Sequence, residues 1–192
     1  MSQNFAGKVI FMQIGEGVIG EGYHLAHVIT VCGYREGPVG AAWVAALGSP
    51  MQDHVPSVAT LQPNLPVKPM TLFITKSTVK NARHRHLTWG PVQLGVACGV
   101  ADALEEKLFS RADVDRMLIL AYVWVDPAAV LSSILFENNR RATLAALNNG
   151  VEGYPAVDDI LVARNDPRNA NYQAQSNLDK ERGSVFNRVH PI

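Results

Sequence analysis

Met117-Leu-Ile-Leu-Ala-Tyr-Val-Trp-Val125 is a nearly unbroken apolar run set between Arg116 and Asp126. It is far short of the ~20 apolar residues that span a bilayer as a helix. Its aliphatic content suits a central strand buried on both faces. Such a strand needs neighbours beside it and helices over it. On its N-terminal side, from Pro91 onward, Val92, Val96, Val100, Leu104 and Leu108 recur every four residues. That spacing predicts an amphipathic helix whose apolar face packs on the sheet and which exits through Glu105-Glu106-Lys107. On the C-terminal side Asp126 can cap a further helix, with Pro127 at its first position and Val130, Leu131, Ile134 and Leu135 on its inner side. Asn148-Asn149-Gly150 is its expected end, and the polar stretch 138–141 is expected to face solvent or a partner.

Farther out, Lys8 to Ile14 and Leu25 to Val31 read as strands, an antiparallel pair around a glycine-rich turn from Gly15 to Tyr23. Gly37-Pro38 precedes a short helix, Val39 to Leu47. Ser57 to Leu61 and Thr71 to Lys76 are strand candidates joined by a proline-rich loop, Pro63 to Pro69. The order of elements predicts an α+β fold, a two-layer sandwich with a mostly antiparallel sheet and helices packed on it. Residues 1–150 form the expected domain. Residues 151–192, rich in Asn, Asp and Arg, are expected to be a C-terminal arm or a disordered tail.

The chain has 192 residues, 47% apolar and 18% charged, enough for one core. Seventeen basic residues balance seventeen acidic ones, which removes any overall electrostatic case for nucleic acid or an anionic membrane as partner. Cys32 and Cys98 form no CxxC and sit among apolar neighbours, so they read as buried thiols of a reducing, cytoplasmic setting. Val9-Ile10-Phe11-Met12 is interrupted too early to be a signal core or a spanning helix.

Several motifs have two readings. Gly15-Glu-Gly-Val-Ile-Gly20 matches G-x-G-x-x-G, but Gly22 and a following strand argue against a dinucleotide site and for a glycine turn near a ligand. Pro63, Pro66 and Pro69 read as a rigid connector or, less well, a polyproline ligand. Arg83-His-Arg-His86 reads as a solvated edge, because two arginines repel a cation and no carboxylate lies close in sequence. His24 and His27 lack a third ligand, so no metal is expected. His27 enters a strand from the glycine segment and is either structural or placed at the rim of a cleft. Lys76 and Thr78 share a face if their strand continues, and suit a polar ligand or a solvated strand end.

Four segments, Gly15-Glu16 through Gly20-x-Gly22 to Ala26-His27, Pro63-Asn-Leu-Pro66-x-Lys-Pro69-x-Thr-Leu72, Lys76-x-Thr78 through Ala82-Arg83, and Gly90-Pro91-x-Gln93-x-Gly-Val-Ala97, together resemble the formaldehyde-activating enzyme family. Order and spacing agree over about residues 12–148. The resemblance implies a homo-oligomer, typically a pentamer, that condenses formaldehyde with tetrahydromethanopterin as co-substrate, giving the methylene derivative and water without a metal. It makes the position of His27 the proton donor and places Val58, Lys76, Thr78 and Gln93 at the ligand. Ile29 stands at a substrate-binding position where the family has an aspartate, so a carboxylate that could orient the imidazole or contact substrate is missing from this strand. A non-catalytic paralogue that binds a reduced pterin or a formaldehyde adduct, as carrier or sensor, is the alternative.

Overall fold

Met117–Trp124 is the central strand of a five-stranded sheet and is buried along most of its length. The computed structural model describes residues 12–49, 55–169 and 172–173. In chain order it contains β1 (Gln13–Ile19), β2 (Ala26–Tyr34), α1 (Pro38–Gly48), β3 (Ser57–Val58), β4 (Thr60–Gln62), β5 (Leu65–Pro66) and β6 (Met70–Thr75). There follow α2 (Ala82–Leu87), α3 (Gln93–Glu105), β7 (Met117–Trp124), α4 (Ser132–Glu152), α5 (Val157–Ala163), β8 (Arg168–Asn169) and β9 (Tyr172–Gln173). The main sheet runs β1-β2-β7-β6-β3. All its pairings are antiparallel except β6 with β7. A parallel pair needs a long crossover, and α2 and α3 supply it.

The sheet has two unlike faces. Ala26, Val28 and Cys32 of β2 point to one, where they join Val96 and Val100 of α3 and Leu135, Ala142 and Ala146 of α4 in the larger core. Leu72, Ile74, Leu118 and Leu120 point to the other, where Val39 and Trp43 of α1 cover them. The α3 spacing expected from sequence holds: Val92, Val96 and Val100 are fully buried. Pro91 lacks an N–H and crowds the preceding turn, and the helix opens there into a π-type turn, Thr88–Val92. Cys32 and Cys98 are free thiols, and burial pushes Cys32 up to about 12, which leaves it protonated and unreactive.

The glycine-rich segment is not a turn. Gly15 and Gly17 lie within β1, directly under α4. A Cβ on Gly15 would meet the Ala146 carbonyl oxygen at 1.9 Å, and one on Gly17 the Ala142 oxygen at 2.1 Å. The helix therefore approaches the strand backbone to backbone. The turn itself is shorter, with Gly20 and Gly22 at positive φ before a 3-10 turn, Gly22–His24. Of the strand expected at 8–14, residues 8–11 lie outside the described residues.

α4 also departs from its expected bounds. Asp126 Oδ1 accepts from Ala128 N at 2.7 Å and closes a turn instead of capping the helix. The backbone ahead of α4 is held by His24, whose Nε2 accepts from Val130 N (3.3 Å) and Leu131 N (3.1 Å). Leu135 is buried as expected, but Val130 and Leu131 precede the helix, which begins only at Ser132, and are exposed, and Ile134 lies off the buried face of Leu135, Asn139 and Ala142. It runs past Gly150 to a left-handed Gly153. Asn139, expected outside, is buried, and Arg140 forks onto Asp102 of α3 (2.6 and 2.8 Å). Pro155 begins a second unit, whose described residues include α5 and the β8–β9 pair.

Gly15→Ala must push a helix carbonyl aside, which is overpacking and is expected to cost ~1–3 kcal/mol. Gly48→Ala, where nothing lies within 4 Å, is expected to stay within ~0.5 kcal/mol of the parent. Urea unfolding midpoints at unchanged slope check both.

Candidate functional site

Side chains of directly paired residues lie on one face of a sheet, and alternate residues repeat it. The register therefore fixes a grid on the face that α1 shares. One row holds Val18, His27 and Trp124; the next holds Glu16, Ile29, Tyr122 and Ile74; the third holds Ile14, Val31, Leu120, Leu72 and Val58. Lys76 extends the first row, since its N–H continues the ladder to the Val123 carbonyl at 2.7 Å. α1 covers Val31, Leu120 and Leu72 of the third row and Ile74 of the second, and leaves the first row and the β1 end of the other two open.

In that opening His27 Nε2 lies 2.5 Å from Glu16 Oε1. Glu16 is mostly exposed and His27 half-buried. Burial holds the Lys76 ammonium below the ordinary lysine range, and the negative charge of Glu16 pulls it partly back. An imidazole, a carboxylate and an ammonium thus share one surface with the half-buried rings of Tyr122 and Trp124. Polar chemistry stands beside flat apolar area. Sequence reasoning passed over Glu16 as a site residue. The signal available was the alternation Gly-Glu-Gly-Val, which in a strand separates the glycines from the glutamate.

The other expected residues are placed less simply. Thr78 does not continue β6, which ends at Thr75; it lies in the loop 76–81. Three bonds clamp that loop: Ser77 Oγ donates to the Val125 carbonyl (3.2 Å), His84 Nε2 lies 3.2 Å from the same oxygen, and Lys80 N donates to His84 Nδ1 (3.2 Å). The Arg83–His86 stretch is therefore only in part a solvated edge. It is helix α2, with His84 turned inward and fully buried while Arg83, Arg85 and His86 remain exposed. Gln93, half-buried, opens α3 on the opposite face of the sheet, so it and His27 can reach one ligand only around the sheet end that carries the loop. Val58 is not brought to His27. They are three strands and two rows apart, ~14 Å across and ~13 Å along.

Thr30, whose hydroxyl could have stood in for the missing carboxylate, points to the helix-covered face and is buried there. Among the described residues no three His, Cys, Asp or Glu side chains gather at metal-ligand spacing, and no helix is long and apolar enough to cross a membrane.

Residues 14–172 match the family model described as formaldehyde-activating enzyme. The match continues past residue 148, the end of the resemblance read from the sequence. The bifunctional enzyme Fae/Hps of Methanosphaerula palustris is 40% identical over 149 residues, 78% of this chain and 38% of that protein. The bifunctional enzyme Fae/Hps of Methanococcoides burtonii is 39% identical over 150 residues, again 78% and 38%. That of Methanosphaera stadtmanae is 36% identical over 152 residues, 79% and 37%. The chain thus spans less than two fifths of the length of these curated relatives.

Burial holds the His84 pKa below the ordinary imidazole value. Below ~pH 6.5 the unfolded chain binds a proton that the folded chain refuses, so stability falls with falling pH. Above that point this penalty is absent. Thermal or urea unfolding from pH 8 to 5 is expected to show the decline, and His84→Gln to show a lower plateau and a shallower slope.

Proposed function

The chain belongs to the formaldehyde-activating enzyme family, and from that premise we propose that it condenses formaldehyde with a reduced pterin, tetrahydromethanopterin, as a carbon–nitrogen lyase of one-carbon metabolism working in the condensing direction. The observation that carries the proposal is the hydrogen-bonded pair His27–Glu16 in the same open row system as Lys76. The chemistry needs proton transfer and positioning, and no metal. A pterin amine adds to the formaldehyde carbon; the carbonyl oxygen takes a proton and the amine loses one, giving a carbinolamine. His27 then gives a proton to that hydroxyl, the C–O bond breaks and water leaves. A second amine closes on the iminium carbon and surrenders its proton, which restores His27. Two N–H groups and one formaldehyde become one N–CH2–N bridge and one water.

The residues suit that work. Tyr122 and Trp124 offer flat area to a fused ring, and Lys76 and Thr78 offer donors to its polar edge. Holding both reactants in one cleft supplies part of the acceleration. A cytoplasmic setting is consistent with the free thiols.

A homo-oligomer is part of the proposal. Val58 sits on the sheet's far edge from β1, too distant to line His27's cleft in the same protomer. The open face of β1 also exposes Met12, Ile14 and Val18 by about half each, along a strand edge that no described strand pairs and that needs cover. A second copy docked there answers both observations.

His27→Ala is expected to fold and to lose ~100- to 10,000-fold in condensation rate above the spontaneous background, measured with purified protein, formaldehyde and reduced pterin. An unchanged acceleration would make His27 a structural residue, and a wild type that binds pterin without accelerating the reaction would be a carrier. Light scattering at micromolar concentration is expected to give a mass several times 20.9 kDa; a monomer would contradict the shared site.

A further inference from the structure

We infer that Glu16 is the positioning residue for His27: it fixes the imidazole with Nε2–H toward its own carboxylate and leaves Nδ1 as the nitrogen that exchanges a proton with substrate. This rests on the reading of His27 as proton donor. The geometry starts with the backbone. Glu16 stands between Gly15 and Gly17, both locked against α4 by carbonyls that would lie about 2 Å from any Cβ. Its Cα therefore has little room to move, and strand alternation turns its side chain to the open face. Val18 pairs with His27 and Glu16 with Ile29, so Glu16 is His27's diagonal neighbour on the adjoining strand. Long side chains reach across that diagonal, and the 2.5 Å contact shows that this one does.

An ionised carboxylate only accepts hydrogen bonds, so the nitrogen facing it must carry the hydrogen. In the neutral ring that selects the Nε2–H tautomer and makes Nδ1 the base. In the charged ring the proton on Nδ1 is the one free to leave, since Nδ1 makes no hydrogen bond with any described residue. When Nδ1–H protonates the carbinolamine hydroxyl, Nε2–H stays on Glu16 and the ring keeps its orientation. The proton returns to Nδ1 from the second amine.

The same register puts Ile29 directly opposite Glu16, so a carboxylate at 29 would face one already present and is not needed to hold the imidazole. The carboxylate comes from β1, and the strand that bears His27 carries an apolar residue in the row of Tyr122 and Ile74.

The test uses the full chain with 15N-labelled histidine, and compares the wild type with Glu16→Ala, Glu16→Gln and Ile29→Asp. Glu16 is exposed, so none of its variants disturbs the core. At a pH where the ring is neutral, long-range ring correlations should show the Nε2–H tautomer in wild type and a mixture in Glu16→Ala. The turnover of Glu16→Ala should fall ~10- to 100-fold with KM little changed. Glu16→Gln, which keeps an acceptor oxygen, should retain the tautomer and recover part of the rate. Ile29→Asp should not accelerate the reaction. A wild-type Nδ1–H tautomer, an undiminished Glu16→Ala rate or a faster Ile29→Asp overturns the inference. A wild type that shows the tautomer but no acceleration overturns the enzymatic reading and leaves the Glu16 lock standing.

Discussion

Everything in the main unit depends on how closely one helix approaches the backbones beside it. α4 touches β1 at Gly15 and Gly17 and touches α3 at Gly95 and Gly99, where an added Cβ would come within 2.5 Å of a helix carbonyl oxygen in every case. Four missing side chains thus let α4 settle onto strand and helix at once. Dispersion and apolar burial both grow with that intimacy, and Ala142 and Ala146 are fully buried in the seam. The same contact does chemical work. Because β1 is pinned through its glycines, the residues between and after them, Glu16 and Val18, have no choice but the opposite face. A packing constraint on one side of the strand becomes a positioned carboxylate on the other.

The second organising fact is that the sheet's two faces are finished to different degrees. α3 and α4 cover one face from end to end, whereas α1, eleven residues long, covers only part of the other. A longer α1 would bury His27, Ile29 and Trp124 under apolar side chains. Instead the rows nearest the start of β2 and the end of β7 stay open, and the loop 76–81 closes their far end. That loop is irregular but not loose. Its attachment to Val125 through Ser77 and the buried His84 contributes ~1 kcal/mol per hydrogen bond, and an imidazole left without its partners there would be costly.

Much of the fold was legible beforehand where hydrophobic pattern and burial coincide. The 117–125 run, the four-residue spacing from Val92 to Leu108 and the Pro38 helix start all depend on local chemistry that no distant contact reverses. The errors have a common cause. Gly15 and Gly17 read as a turn because glycine is locally permissive, but their absence of Cβ serves a helix more than a hundred residues away. Asp126 read as a helix cap because it has the right side chain in the right place, yet His24, from another turn, reaches that backbone first. His84 read as surface because its neighbours are arginines, and only the crossover from β6 to α3 turns it inward.

The sequence by itself determined the family and the α+β class. It also singled out His27 and Lys76 as candidates for one polar site, because residue types in fixed spacing are a local property that survives without coordinates. It could not supply the register between strands, which pairs residues eleven or a hundred apart in the chain. Register alone set His27 beside Glu16, put Ile29 opposite that same carboxylate, and moved Val58 to the far edge of the sheet. The charge that partners the imidazole was written in the sequence at position 16. That it partners the imidazole was decided by the antiparallel pairing of β1 with β2 and by the helix that presses β1 from behind.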